Sequence, residues 1–202
     1  MRISLEHIGK AQDKYLESIP QCNELWLTEA KLGDVLKIIF KDENIIHDKK
    51  LDLLNHSNFR PDYLLPNRKL LVEFQGYQHF TITKIACKDI IKQKAAIASG
   101  YQLIEVPYFV QLTKNVTIKL FNEQIDKNLR KLNFSNNFPH GFIHPKATLP
   151  YDYCSLGLRR FKEFLNNLPN EVRLQCHEST KLRAKIDGIP DSIYMPLLNL
   201  DG

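Results

Sequence analysis

The stretch that most constrains the fold of this 202-residue chain is residues 58–80, NFRPDYLLPNRKLLVEFQGYQHF. Residues 59–65 and residues 70–75 each alternate between two sets of side chains, as β-strands do. The four residues between them, Pro-Asn-Arg-Lys at 66–69, have a composition typical of turns. The stretch therefore predicts an antiparallel hairpin in which the last residue of the first strand pairs with the first residue of the second.

The register of this hairpin brings two carboxylates together. If residues 66–69 form the loop, Asp62 faces Glu73, and Arg60 faces Gln75. Directly opposed carboxylates repel each other, whereas a divalent cation such as Mg²⁺ takes carboxylate oxygens as ligands. We therefore infer a metal site held by Asp62 and Glu73 on a twisted sheet. The alternative is an exposed hairpin whose register slips by one or two residues.

Composition places the chain among globular proteins and excludes some classes. The apolar fraction of 43% is sufficient for a core, and no apolar run approaches the roughly 18 residues of a membrane span. The first residues, MRISLEHIGK, lack the apolar segment of a signal peptide. The cysteines are scattered and form no Cys-x-x-Cys pair, which is typical of a reducing compartment. We expect a cytoplasmic or nucleoid-associated protein that is not secreted and has no membrane partner.

The net charge of +5 is unevenly distributed along the chain. Residues 1–57 carry 8 basic and 10 acidic side chains, residues 58–113 carry 7 and 4, and residues 114–202 carry 13 and 9. The basic excess thus accompanies the hairpin and the segments after it. This distribution favours a phosphate-bearing partner such as a nucleic acid, and the alternative is ordinary charge for solubility.

The order of predicted elements indicates an α/β fold. Helices are predicted over residues 4–17 and 24–40, followed by a short strand at 44–47 that leads into the hairpin. An amphipathic helix over 82–99 precedes a β-rich run at 102–106. Because strand, strand, helix and strand follow one another, we expect the last strand to lie parallel to its neighbour through a crossover.

The rest of the chain divides into three predicted parts. A core domain with N-terminal helices spans residues 1–132 and ends in a helix over 116–132. Residues 133–155, rich in Asn, Pro and Gly, form a linker. Residues 156–202 form a helical C-terminal extension that is either a nucleic-acid-contacting appendage or a plain helical cap. Its basic side chains are expected on the outside, at Arg159, Arg160, Lys162, Arg173, Lys181, Arg183 and Lys185.

Side chains near the acidic pair suggest a hydrolytic chemistry. Gln75 projects to the same side as Glu73 and offers a carbonyl oxygen or an amide donor, but no positive charge. A cation for stabilising a pentavalent phosphate would have to come from Arg60, or from Lys88 or Lys92 in the following helix. A bound magnesium ion would supply a nucleophilic hydroxide and neutralise phosphate charge.

His79 has two interpretations. It can act as a general base or position a water molecule. The alternative is a hydrogen-bonded turn residue after Gly76.

The ordered series of these residues resembles a known nuclease superfamily. Arg60-Pro61-Asp62 followed by Glu73-Phe74-Gln75 resembles the PD-(D/E)XK signature, with Gln where the family usually has Lys. The strings LLVEFQGYQHF and KDIIKQKAAIASGYQLIEVPY are similar to the branch of very-short-patch repair endonucleases and phage and intron homing endonucleases. The similarity covers about residues 45–108.

The resemblance implies a restriction-endonuclease-like mixed β-sheet core flanked by helices. By motif position, Asp62 and Glu73 would bind Mg²⁺, or Mn²⁺ in its place, and Gln75 would replace the catalytic lysine. His79 and Asp89 would be supporting residues. The role of the missing lysine would fall to Lys88, Lys92 or Arg60. Contacts to nucleic acid are expected from Arg60, Arg68, Lys69 and Lys84.

The implied activity is metal-dependent endonucleolytic hydrolysis of DNA, of a homing or repair type. The same chemistry also applies to RNA. Symmetric cleavage of both strands would involve a homodimer. The alternative is a catalytically inactive nucleic-acid-binding module that keeps the nuclease fold.

Overall fold

A computed structural model describes residues 27–54, 56–110, 112–121, 124 and 150–198. The predicted helix over 4–17 and most of the predicted linker lie outside the described residues, as does the second half of the helix predicted over 116–132. Within the described part of the chain, no helix is both long enough and apolar enough to cross a membrane.

A four-stranded mixed sheet forms the centre of the described chain, and a two-stranded sheet lies beside it. The strands are β1 (Ile46–His47), β2 (Leu51–Leu53), β3 (His56–Phe59), β4 (Tyr63–Leu65), β5 (Leu70–Gln75) and β6 (Gln102–Pro107). The larger sheet has the order β1-β4-β5-β6, in which β4 is antiparallel to both β1 and β5, and β6 is parallel to β5. The smaller sheet pairs β2 with β3.

Helices pack against both faces of the larger sheet, and the last three described helices follow the sheet in sequence. They are α1 (Glu29–Ile39), α2 (Gln78–Thr81), α3 (Thr83–Ala98), α4 (Lys114–Leu120), α5 (Ser155–Asn167), α6 (Asn170–Asp187) and α7 (Asp191–Leu198). The predicted α/β fold and the parallel crossover from β5 through α3 to β6 are confirmed.

The predicted hairpin register is confirmed between β4 and β5. Leu65 pairs with Leu70 and Tyr63 with Val72. The turn between the strands is a short 3₁₀ helix at Pro66–Arg68, and Lys69 closes it with a left-handed backbone (φ 49°). Proline at the first position of this turn has the backbone angle that the turn needs.

The prediction that residues 59–65 form one strand is wrong. The chain ends β3 at Phe59 and begins β4 at Tyr63. Pro61 lies in the break, where its missing N–H group cannot contribute to a sheet ladder. As a result, Arg60 does not face Gln75. Its guanidinium lies instead 3.5 Å from the carboxylate of Asp48, in an exposed ion pair.

The two faces of the larger sheet bury different sets of side chains. On one face, Tyr63, Leu65, Leu70 and Val72 join the main hydrophobic core. On the other face, a smaller core contains Leu64 and Leu71 and two alanines of α3, Ala95 and Ala96. Because side chains alternate along β5, this second face continues from Leu71 to Glu73 and Gln75.

Specific residues mark the ends of the helices. Thr28 caps α1 by accepting a hydrogen bond from the N–H group of Lys31, at 3.2 Å. After α3, Gly100 takes a left-handed backbone (φ 77°), as a C-terminal glycine does. The C-terminal extension breaks at Pro169 into α5 and α6.

Helix α5 packs directly against the main hydrophobic core. Its inward residues Phe161 and Leu165 belong to the same core as the apolar side chains of β5 and β6. Gly157 permits the contact, since a Cβ atom there would overlap the carbonyl oxygen of Phe80. The N–H group of Cys154 donates to that same carbonyl at 3.0 Å.

Candidate active site

The sheet face that carries Leu64 and Leu71 becomes polar toward the C-terminal end of β5. Glu73 follows Leu71 on this face of β5, and the parallel register places Glu105 of β6 directly beside Glu73. Glu73 is buried, and Glu105 is largely covered. Two carboxylates on neighbouring strands therefore lie in a poorly solvated place. Burial raises the pKa of both carboxyl groups above its ordinary value.

Asp62 reaches this face from the break before β4. Its Oδ2 accepts a hydrogen bond of 2.6 Å from the N–H group of Phe74, so its side chain binds the main chain of β5 next to Glu73. Burial raises the pKa of Asp62, although the Phe74 hydrogen bond acts in the opposite direction. The charge on Asp62 adds to the burial that raises the pKa of Glu73. Asp62 therefore lies next to Glu73, although it stands outside the ladder that pairs β4 with β5.

Both carboxylate oxygens of Glu73 have partners in the structure. Lys92 Nζ, from α3, donates to Glu73 Oε1 at 3.1 Å. Gln75 Nε2 donates to Glu73 Oε2 at 3.2 Å. The ammonium group of Lys92 also lies over the ring of Phe59, 5.2 Å from its centroid. Among the alternatives for the missing lysine, the structure thus brings Lys92 to the acidic pair.

His79 and Asp89 form a hydrogen-bonded pair beside these carboxylates. His79 lies in the short helix α2, and its Nδ1–H donates to Asp89 Oδ2 of α3 at 2.8 Å. Burial acts to raise the pKa of Asp89, but the hydrogen bonds and charges of His79 and Arg160 outweigh it and hold the pKa below its ordinary value. The charge on His79 also lowers the pKa of Asp62, which indicates that the pair lies near the metal-ligand candidates.

Gln75 is fully buried and does not reach solvent. Besides donating to Glu73, its Oε1 accepts a hydrogen bond from Arg160 at 3.2 Å. With both ends of the amide engaged, Gln75 orients Glu73.

Arg160 was missed as a site residue, and the prediction that it decorates the outside of its helix is wrong. Only 7% of the residue is exposed. Its guanidinium contacts Asp89 at 2.7 Å and Glu105 at 3.0 Å. The signal was present in the sequence, because position 160 falls on the inward stripe of α5 together with Gly157, Phe161 and Phe164. Arg183, also predicted on the outside, is likewise buried.

The remaining predicted residues, Lys88, Lys69, Lys84 and Arg68, make no hydrogen bond or ion pair with Asp62 or Glu73 in the described part of the chain. Lys88 is on the exposed side of α3. Lys69 and Lys84 are exposed as well. Arg68 is partly covered: its guanidinium donates to Glu43 at 3.0 Å and to the Gln124 carbonyl at 2.8 Å.

A cleft of about 840 Å³ opens beside α1 and β1, and it is lined in part by Glu29, His47 and Tyr63. His47 Nε2–H donates to Glu29 Oε1 at 2.8 Å, and the Tyr63 hydroxyl donates to the Glu29 carbonyl at 2.9 Å. The charge on Glu29 contributes to the raised pKa of Asp62. The charge of a residue that lines the cleft therefore acts on one carboxylate of the acidic pair. The sequence patterns had not indicated Glu29.

The donor set at the acidic pair fits a hard divalent cation. Among the described residues, no group of three or more His, Cys, Asp or Glu side chains is arranged to hold a metal. Magnesium does not need such a group, because it commonly binds through one or two carboxylates and keeps several waters. Asp62 and Glu73 have raised pKa values partly because of carboxylates near them, and a cation would relieve that repulsion.

Comparisons of the chain with protein-family models, curated proteins and solved structures find no match.

Proposed function

We propose that this chain is a metal-dependent DNA endonuclease of a homing or repair type, with a restriction-endonuclease-like core, acting in the cytoplasm or at the nucleoid. The observation that carries the proposal is the meeting of Asp62, Glu73 and Lys92 on one sheet face, with Lys92 Nζ 3.1 Å from Glu73 Oε1. Two carboxylates and a lysine in this arrangement suit phosphodiester hydrolysis.

Each side chain has a distinct role in the proposed reaction. Asp62 and Glu73 would hold magnesium, which when bound activates water and neutralises phosphate charge. Lys92 supplies the positive charge that Gln75 lacks, and it stabilises charge that develops on the phosphate. Gln75 keeps Glu73 in one orientation through its hydrogen bond to Oε2.

The His79–Asp89 pair suits proton transfer. Because Nδ1–H of His79 donates to Asp89, the other ring nitrogen, Nε2, is left to accept a proton. The ionised Asp89 stabilises the imidazolium that forms when His79 takes the proton. His79 is partly exposed, so a water or substrate can approach it.

A second candidate function is a catalytically silent nucleic-acid-binding module. One observation favours it: Lys92 and Gln75 occupy both oxygens of Glu73, as in a structural ion pair. In the nuclease, a bound cation would have to share these oxygens with the lysine and the amide.

Cleavage of supercoiled and linear DNA in Mg²⁺ or Mn²⁺ separates the two functions. We expect the wild-type protein to cut DNA, Glu73→Ala to bind DNA without cutting it, and the exposed control Glu163→Ala to behave as wild type. DNA binding without cleavage under both metals would support the silent module. Cleavage that survives in Glu73→Ala would show that the activity does not come from this site. The same assay with an RNA substrate tests RNA cleavage. Measuring the molecular mass of the protein in solution in the same buffers tests homodimer formation.

A further inference from the structure

One guanidinium connects four segments of the candidate site. Arg160 Nη1 donates to Asp89 Oδ2 at 2.7 Å and to the His79 carbonyl at 3.1 Å. Its Nη2 donates to Gln75 Oε1 at 3.2 Å and to Glu105 Oε1 at 3.0 Å. These partners belong to α3, α2, β5 and β6, whereas Arg160 itself belongs to α5. The C-terminal extension therefore reaches the middle of the polar sheet face.

The bond to Gln75 determines which way the amide points. A guanidinium only donates hydrogen bonds, so the amide oxygen must face Arg160. The amide nitrogen then faces Glu73 Oε2, at 3.2 Å. Without Arg160, the amide would be held only by its bond to Glu73, and its buried oxygen would lose the donor that anchors it.

The bonds to Asp89 and to the His79 main chain act on the proposed proton-transfer pair. Asp89 Oδ2 accepts from both Arg160 and His79 Nδ1. Arg160 thus holds the carboxylate that fixes the tautomer of His79, while it also holds the carbonyl of His79 itself.

The placement of Arg160 depends on the close approach of α5. Gly157 and Phe80 are in main-chain contact one turn before Arg160, and the guanidinium lies 5.5 Å from the centroid of the Phe80 ring. A lysine could keep the positive charge here, but its single ammonium group cannot reproduce the planar, forked donor set of arginine.

We propose that Arg160 is a positioning residue that orients Gln75 and Asp89, and through them Glu73 and His79. Its kinetic consequence rests on the proposed nuclease function. The orientation of His79 does not, because it can be measured without any cleavage.

The experiment uses the whole 202-residue chain with two changes at position 160. Arg160→Lys keeps the charge and loses the fork. The double variant Arg160→Met with Glu105→Gln removes both charges of the buried Arg160–Glu105 pair together, while Asp89 keeps His79 as its partner. Glu105→Gln alone is the reference for the double variant. Arg159→Met is the matched control, since Arg159 precedes Arg160 on α5 and its side chain is 65% exposed.

Four quantities are measured for each variant: the thermal unfolding temperature, DNA affinity with Ca²⁺ in place of Mg²⁺, kcat at saturating DNA with Mg²⁺, and the ring ¹⁵N NMR spectrum of His79. In folded Arg160 variants we expect unchanged DNA affinity, a fall in kcat of about 10- to 100-fold, and loss of the fixed Nδ1–H tautomer of His79. Arg159→Met should match the wild type in unfolding temperature, kcat and the His79 spectrum.

The outcomes separate this inference from the proposed function. Wild-type kcat and an unchanged His79 spectrum in folded Arg160→Lys and in the double variant would overturn the positioning role. If the double variant does not unfold cooperatively, Arg160→Lys decides alone. If the wild-type protein cuts no DNA, the nuclease function is refuted. If the His79 tautomer nevertheless changes in the Arg160 variants, the positioning role is upheld.

Discussion

Lys92 Nζ lies 3.1 Å from Glu73 Oε1, and this contact joins the inner side of helix α3 to the polar face of strand β5. The lysine side chain is 25% exposed, so its ammonium group is neither fully buried nor free in solvent. The position of this ammonium group beside the Glu73 carboxylate suits the proposed role of Lys92, which is to stabilise negative charge on a phosphate. The relationship explains how the site can have Gln75 on the strand and still keep a positive charge.

Replacing Lys92 tests which lysine serves the site. In the proposed nuclease, Lys92→Met should lower kcat about 10²–10³-fold, because a charge that stabilises the transition state is removed. Lys88→Met, one turn earlier on the exposed side of α3, is the matched control and should retain wild-type kcat. Steady-state cleavage of a labelled duplex measures both. Equal losses in the two variants would contradict the assignment to Lys92.

Glu73→Gln is expected to stabilise the fold increasingly as the pH rises. Burial raises the pKa of Glu73 above its ordinary value of 4.5, so the folded protein keeps this proton at pH values where the unfolded chain has released it. The free energy of unfolding of the wild type therefore decreases as the pH rises from the unfolded to the folded pKa. Glutamine does not titrate, and its oxygen can still accept from Lys92.

Thermal melts of both proteins from about pH 4 to about pH 8 measure this effect. The unfolding temperature of Glu73→Gln minus that of the wild type should increase with pH. A difference that is constant or decreases would contradict the raised pKa of Glu73. Loss of DNA cleavage in the same variant is expected independently, since a metal ligand is removed.

Gly157→Ala should disturb the docking of α5. The added Cβ would overlap the carbonyl oxygen of Phe80, which is main chain and cannot rotate away. We expect a loss of about 1–3 kcal/mol in the free energy of unfolding, as in overpacked cores. Gly76→Ala is the control, because a Cβ there meets no atom within 4 Å. Urea denaturation of the two variants measures the difference, and equal stability would contradict the close approach of α5.

The predicted nucleic-acid contacts divide into two kinds. Arg60 and Lys84 are exposed, so replacing either by Gln should weaken DNA binding and lower the salt slope by about 0.9 for each phosphate group that the side chain neutralised. Arg68 is bonded to Glu43 and lies 4.9 Å from the centroid of the Phe40 ring. Arg68→Gln should therefore lower stability by about 1–2 kcal/mol.

Salt titrations of DNA affinity and urea melts distinguish these effects. Lys37→Gln is a suitable control, because Lys37 is an exposed lysine of α1 that pairs with Asp34 at 3.0 Å. An unchanged salt slope in both Arg60→Gln and Lys84→Gln would place the nucleic-acid surface elsewhere.

Local sequence was sufficient to determine the hairpin and the helix that follows it. The turn composition at 66–69 and the alternation along Leu70–Gln75 specified the register, because a slip of one residue would move Leu70 and Val72 out of the core. That register brought Asp62 to Glu73. The apolar periodicity over 82–99 likewise predicted α3.

Only the tertiary structure decided the positions of Arg160 and Glu105. Arg160 lies 85 residues after Gln75, and its burial depends on how α5 docks. Glu105 faces Glu73 through a parallel pairing, whose register no short turn determines. Pro61 also ended a strand that the alternation alone would have continued. Periodicity reports which side of an element is apolar, but it does not report which distant element will cover that side.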